Sequence, residues 1–147
     1  MRFLVAVDGS TEAQRALTHA AEIARAMDAS VTVATAVNPS VFDLGGSEPI
    51  TGMADANNRL VSENIEDAEA RAERVLEGAE GVADEVGITI ETALLYGPPA
   101  QAITEFGAEF DGIFVGHRGR SERAELMLGS VAKSVVERAS VPVTVVR

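Results

Sequence analysis

The chain has 147 residues, 46% of them apolar, with a formal net charge of −11 and no cysteine. That length and apolar content suit one domain, residues 1–147, with a sizeable core, and exclude a disordered or collagen-like chain. The absence of cysteine excludes a disulfide framework and a thiolate metal site, no apolar run approaches the roughly 18 residues of a membrane span, and the negative charge disfavours nucleic acid and anionic lipid as partners.

The first apolar run, Phe3 to Val7, is followed by an acid and a glycine. It is too short for a signal peptide and lacks a small-residue cleavage site, so it reads as a core strand. A helix is predicted from about Thr11 to Met27, with Ser10 placed to cap its first turn. The second strand, Val31 to Val37, is nearly continuous in apolar residues, as a strand buried on both faces would be. Asn38 to Thr51, with two prolines and Gly45-Gly46, reads as a mobile loop. A long helix follows from about Asp55 to Val86. Its apolar stripe is read as Leu60, Val61, Ile65, Ala68, Ala72, Val75, Ala79, Val82 and Val86, and its acidic face (Glu63, Glu66, Asp67, Glu73, Glu77, Glu80) as solvated exterior. Ile88 to Leu95 alternates polar and apolar residues as an edge strand does. Pro99 suits the first position of a helix running to about Phe106. Ile113–Val115 is a fourth strand, Ser130 to Ala139 a last helix and Val143–Val146 a fifth strand. Strands alternating with helices predict an α/β fold, a parallel sheet covered on both faces.

Between the fourth strand and the last helix the spacing is Gly116-x2-Gly119-x9-Gly129-Ser130. Gly116 and Gly119 would let the backbone turn tightly beyond a strand end and approach a ligand. Gly129 and Ser130 open a helix whose first amides lack intrahelical partners and carry partial positive charge, a ready seat for phosphate. Arg118, Arg120 and Arg123 supply cations within an otherwise acidic chain. A glycine loop at a strand end can also be purely structural. In open parallel sheets, however, ligands bind beyond the carboxyl ends of strands where the strand order reverses. The turn at Asp8-Gly9-Ser10 is the natural second wall of such a crevice, where Asp8 would take ribose hydroxyls or a magnesium ion, or serve simply as a turn aspartate.

These residues resemble the universal stress protein family over essentially the whole chain. Val7-Asp8-Gly9-Ser10 looks like that family's first strand and turn, the glycine spacing is similar to the motif of its ATP-binding branch, and Ser140 to Arg147 resembles its last strand. The resemblance implies a three-layer α/β/α sandwich, Rossmann-like and akin to the adenine nucleotide alpha hydrolases, with a five-stranded parallel sheet in the order 3-2-1-4-5. It also implies ATP (or AMP or ADP), with Mg2+, as the bound cofactor. Ala6, Val7 and Asp8 would line the adenosine, with Asp8 nearest ribose or metal, and the backbone of Ala36 would contact adenine. Gly116, His117, Arg118, Gly119, Arg120 and Ser121, with Gly129, Ser130 and Val131, would wrap the phosphates. Many members carry a small polar residue and then His after the first motif glycine, whereas His117 and Arg118 stand here. The extra arginine either favours a triphosphate or folds over the site. The family commonly forms homodimers through its last strand, with which Pro142, Val143 and Val145 are compatible.

No catalytic set is evident. His19 has no nucleophile near it in sequence and reads as half-buried packing, and His117 has no second metal ligand spaced near it. The expectation is therefore a cytoplasmic, nucleotide-dependent stress-response or regulatory module. A slow ATPase or nucleotidyl-transfer enzyme is the alternative, ahead of a flavodoxin-like flavin carrier, for which one Tyr and no Trp leave little to stack a flavin. An acidic chain whose only lysine is Lys133 also resembles proteins of salt-loving cells, although a GC-rich genome encodes similar compositions.

Overall fold

The computed structural model of the chain describes residues 1–39, 54–119 and 128–147, and the side chains of all of these except 54–64. In chain order the elements are β1 (Arg2–Ala6), α1 (Thr11–Met27), β2 (Ser30–Val37), α2 (Ala54–Val86), β3 (Ile90–Tyr96), α3 (Pro99–Gly107), β4 (Gly112–Gly116), α4 (Ser130–Arg138) and β5 (Val143–Val146). The strands form one parallel sheet in the order β3-β2-β1-β4-β5.

The period of two along β1 sorts its side chains between two cores. Phe3, Val5 and Val7 pack with Val31, Val33, Leu76, Phe114 and the alanine face of α1. Leu4 packs on the other side with Ile103, Ile113, Val115, Ala132 and Val135 of α3, β4 and α4. Leu4 and Val5 are both 0% exposed, so this central strand is covered from both sides, as the layered fold requires. Burying one such side chain contributes on the order of 1.5–3 kcal/mol. Edge strand β3, by contrast, has no fully buried residue, in keeping with its alternating sequence.

Helix boundaries follow local chemistry. The Ser10 hydroxyl accepts from the Ala13 amide at 3.1 Å and starts α1, while Asp28, left-handed at φ 55°, ends it with its amide donating to the Ala24 carbonyl. Gly87, at φ 89°, ends α2 and donates to the Ala83 carbonyl at 2.9 Å. β3 starts later than its composition suggests because its pairing with β2 begins only at Val31↔Ile90.

On α2 the buried line is Ala72, Leu76, Ala79 and Ala83. The sequence stripe missed Leu76 and Ala83, and its members Val75, Val82 and Val86 are only half-buried flank. Glu66, Asp67, Glu73, Glu77 and Glu80 are exposed as expected. His19 corrects its expectation: it is exposed, its ring leaning edge-on towards Phe114 with centroids 6.2 Å apart. The side chains of Leu60, Val61 and Glu63 and, beyond Pro39, the loop expected to be mobile lie outside the described residues.

Candidate nucleotide-binding crevice

From β1 the chain winds outward through β2 and β3, then returns to pair β4 on the other side of β1. The strand order therefore reverses between β1 and β4, and helices leave their carboxyl ends in opposite directions, opening a crevice there. A cleft of about 250 Å³ occupies that position. It is lined by Ala6, Val7, Asp8 and Ala13 from the first strand and helix, by Thr35 and Ala36 of β2, and by Pro99 and Ile103 of α3. Val115, Gly116, Arg118 and Gly119 and the start of α4, Gly129 to Ala132, close it.

Register determines what β2 offers the cleft. Pairing of β1 with β2 ends at Ala6↔Ala34, with the Val7 amide donating to the Ala34 carbonyl at 2.9 Å, while β2 runs on to Val37 beside β3. Backbone polar groups of alternate residues point to the same edge of a strand. Those of Ala36, two beyond Ala34, therefore face the edge that β1 has vacated, and an amide and a carbonyl line the cleft side by side.

The glycines have reasons internal to the chain. A Cβ on Gly116 would lie 2.9 Å from the Glu12 carbonyl carbon and 3.0 Å from the Ala13 nitrogen, so this glycine admits the first turn of α1. A Cβ on Gly119 would lie 2.6 Å from Asp8 Oδ2, and one on Gly129 would lie 2.8 Å from the Arg118 Cα. The positive-φ glycines among the described residues are Gly9, Gly87 and Gly97, so Gly116, Gly119 and Gly129 are required by close approach and not by a left-handed backbone. The sequence reading that Gly116 and Gly119 clear space for a ligand is thereby refined: what they clear space for is the opposite wall of the crevice. The loop base is clamped by backbone bonds, with the Gly129 amide donating to the His117 carbonyl at 2.6 Å and the His117 amide to the Val146 carbonyl at 2.8 Å.

The electrostatics of the two helix starts differ. α1 is capped by its own Ser10, whereas the N-cap of α4 is Gly129, which has no side chain to cap it. The first amides of α4, at residues lining the cleft, carry the partial positive charge of a helix N-terminus. Asp8 accepts from the Ser10 amide through Oδ1 at 2.9 Å, the geometry of a turn aspartate, while Oδ2 faces Gly119 across the crevice. Arg118 reaches Glu12 in the first turn of α1: its Nε and Nη2 both lie 3.2 Å from Glu12 Oε1. The Glu12 carboxyl is held below its ordinary pKa, chiefly by its own backbone amide. Desolvation opposes this and the Arg118 charge adds to it.

Of the residues singled out in the sequence, Ala6, Val7, Asp8, Ala36, Gly116, Arg118, Gly119, Gly129, Ser130 and Val131 surround one cleft. His117 is buried and is not among the lining residues, contributing its backbone to the loop clamp. Arg120 and Ser121 lie outside the described residues, as does Arg123. Sequence reasoning missed Ala13, Thr35, Pro99, Ile103, Val115 and Ala132. Only the strand order could have identified them, because they are small or apolar and look like ordinary core. Among the described residues no cluster of three His, Cys, Asp or Glu could hold a metal by itself. No helix among the described residues is long and apolar enough to cross a membrane.

A doubly wound parallel sheet with a cleft at its switch point, one wall of which is an uncapped helix start, defines a Rossmann-like α/β protein of the kind that binds nucleotides. The universal stress protein family model matches residues 1–147, and the chain belongs to that family. Universal stress protein MJ0531 of Methanocaldococcus jannaschii is 32% identical over 149 residues, covering 99% of this chain and 81% of that relative. Universal stress protein UspA from Lactobacillus plantarum shares the fold, with a TM-score of 0.80 at 24% identity over 100% of this chain and 97% of its own. The universal stress protein from Archaeoglobus fulgidus in complex with dAMP has a TM-score of 0.71 at 26% identity, covering 100% of this chain and 98% of that one.

Proposed function

We propose that this chain is an adenine-nucleotide-binding regulatory module of the universal stress protein family, taking ATP or a shorter adenine nucleotide in the β1/β4 crevice. The observation that carries the reading is the uncapped N-terminus of α4 opening onto the switch-point cleft. Phosphate oxygens would accept from the first amides of α4 and from the Ser130 hydroxyl. The nucleoside would lie between Ala6–Asp8 and Ala36. The adjacent amide and carbonyl of Ala36 match the acceptor N1 and donor N6 of adenine, a pairing that guanine, with a donor and an acceptor exchanged, does not satisfy. Asp8, directed across the crevice, would take ribose hydroxyls or help hold an Mg2+ ion. The relative in complex with dAMP supports the nucleotide class.

As a regulator, the protein would act in the cytoplasm through a homodimer. Pro142 and Val146 give their carbonyls to Ile113 and His117 of the β4 side, so the backbone groups of Val143 and Val145 face the outer edge of the sheet, where a second copy could pair. Light scattering during size exclusion tests this, and a monomer at high protein concentration refutes it. The decisive experiment for binding is to denature freshly purified protein and identify released nucleotide by chromatography, followed by calorimetric titration with ATP and Mg2+. An empty protein that also ignores added adenine nucleotides refutes the reading. An enzyme would in addition turn ATP over, and that turnover would collapse on Asp8→Asn while binding largely survived.

A further inference from the structure

Arg118 is the arginine that the described residues bring to the cleft, and it is already engaged. Its Nε and Nη2 converge at 3.2 Å on a single oxygen of Glu12, a residue 106 positions away that the chain's winding returns to the crevice rim. The pair is largely shielded, with side chains 22% and 15% exposed. Gly116 is what makes the meeting possible, since a Cβ there would strike the backbone of Glu12 and Ala13. We propose that Glu12 is a charge selector for the phosphate end of the crevice: by pairing Arg118 it cancels that cation, so that the site favours a nucleotide of low phosphate charge, a monophosphate, over metal-free triphosphate.

This rests on the adenine-nucleotide reading and specifies the ligand it would prefer. The physical basis is that each added phosphate brings further negative charge to an end of the cleft where one cation is already neutralised. Among the described residues a triphosphate gains a cation only by sharing Arg118 with the Glu12 carboxylate or drawing it away, which costs the ion pair and leaves that carboxylate to its own backbone amide and the charge of Arg15. A monophosphate is satisfied by the amides of α4 without disturbing the pair. The sequence alone leaves two readings of Arg118, that it favours a triphosphate or folds over the site, because the partner is invisible there.

The test is calorimetric titration of the full chain and two variants with AMP and with ATP, in chelator and without divalent metal. Glu12→Gln keeps the side-chain volume and releases Arg118. It should raise the affinity for ATP relative to AMP by about fivefold, the worth of one partly exposed ion pair. Arg118→Gln removes the cation and leaves the Glu12 charge beside the cleft, and should move the same ratio in the opposite direction. A pair that only braces the loop would weaken both nucleotides alike in both variants, and that outcome, or a ratio unmoved by Glu12→Gln, overturns the proposal while leaving nucleotide binding intact. Failure of the unaltered chain to bind either nucleotide overturns both together.

Discussion

Replacing Gly119 by alanine tests the junction of the two crevice walls. The new methyl would sit 2.6 Å from Asp8 Oδ2, well inside ordinary van der Waals contact. The backbone at Gly119 is not left-handed, so the substitution adds a collision and no conformational strain. Relief has two routes. Asp8 can swing away, breaking the 2.9 Å bond that its Oδ1 accepts from the Ser10 amide, and a hydrogen bond to a charged group is worth about 1.5–3 kcal/mol. Alternatively the loop can retreat by roughly 1 Å, to a normal contact distance, carrying Arg118 and the entry to α4 with it. Either way one wall leaves the geometry that a nucleotide spanning both would need. If that strain falls on the bound state, adenine-nucleotide affinity drops by about 10- to 100-fold. If part is relieved in the unliganded chain, the melting temperature falls by only about 2–4 °C per kcal/mol. Calorimetric titration alongside thermal unfolding separates the two. Wild-type affinity in a folded Gly119→Ala protein would refute the assignment of this loop and Asp8 to the ligand.

Leu4→Ala, in the strand buried from both faces, should cost about 2–5 kcal/mol by guanidinium denaturation, with no direct effect on the crevice. Glu12, whose folded pKa lies below the 4.5 expected of an unperturbed carboxyl, stabilises the fold fully above that value and ceases to do so as pH falls through the lower, folded one. Glu12→Gln should therefore be less stable than the parent at pH 7, and the gap should close as pH falls below 4.5 and through the lower, folded pKa, as measured by denaturant titration at each pH. With a net charge of −11, the chain should melt at a higher temperature as KCl is raised to about 1 M, because the screening length shrinks to roughly 3 Å. A flat or falling melting temperature would show that self-repulsion is not what limits stability.

What was legible in the sequence was what local chemistry decides. Ser10 and the alanine face gave α1 its bounds, and the continuous apolar run of β2 indicated burial on both faces. The helix start at Gly129-Ser130 and the turn at Asp8 were likewise visible, because both depend on a few adjacent residues. What escaped depends on distance along the chain. The buried line of α2 drifts across a wider apolar stripe, so Leu76 and Ala83 could not be told from their flanks until β2 and α1 were in position against them. Pro99 and Ile103 line the cleft only because α3 passes beside the end of β2. The purpose of Gly116 could not be read from its loop, since the atoms that need its missing side chain belong to α1.

On the proposed function, a strongly acidic chain has to hold a polyanion against its own charge. Its long-range field would repel nucleotide, and the arginine that the described residues bring to the cleft is offset by Glu12. On that reading, attraction among the described residues would come from groups acting at contact: the first amides of α4, the Ser130 hydroxyl and the backbone of Ala36. Such dipoles contribute within about a turn of the helix end and release few counterions when a phosphate docks. Salt therefore acts mainly on the repulsion, whose range shrinks from about 10 Å at ~0.1 M to roughly 3 Å at ~1 M. The expected outcome is an AMP affinity that stays level or rises between about 0.1 and 1 M KCl, whereas a site built on lysine and arginine would lose affinity steeply over that interval. Titrations across that series decide it. A steep fall would mean that cations, and not backbone dipoles, carry the binding.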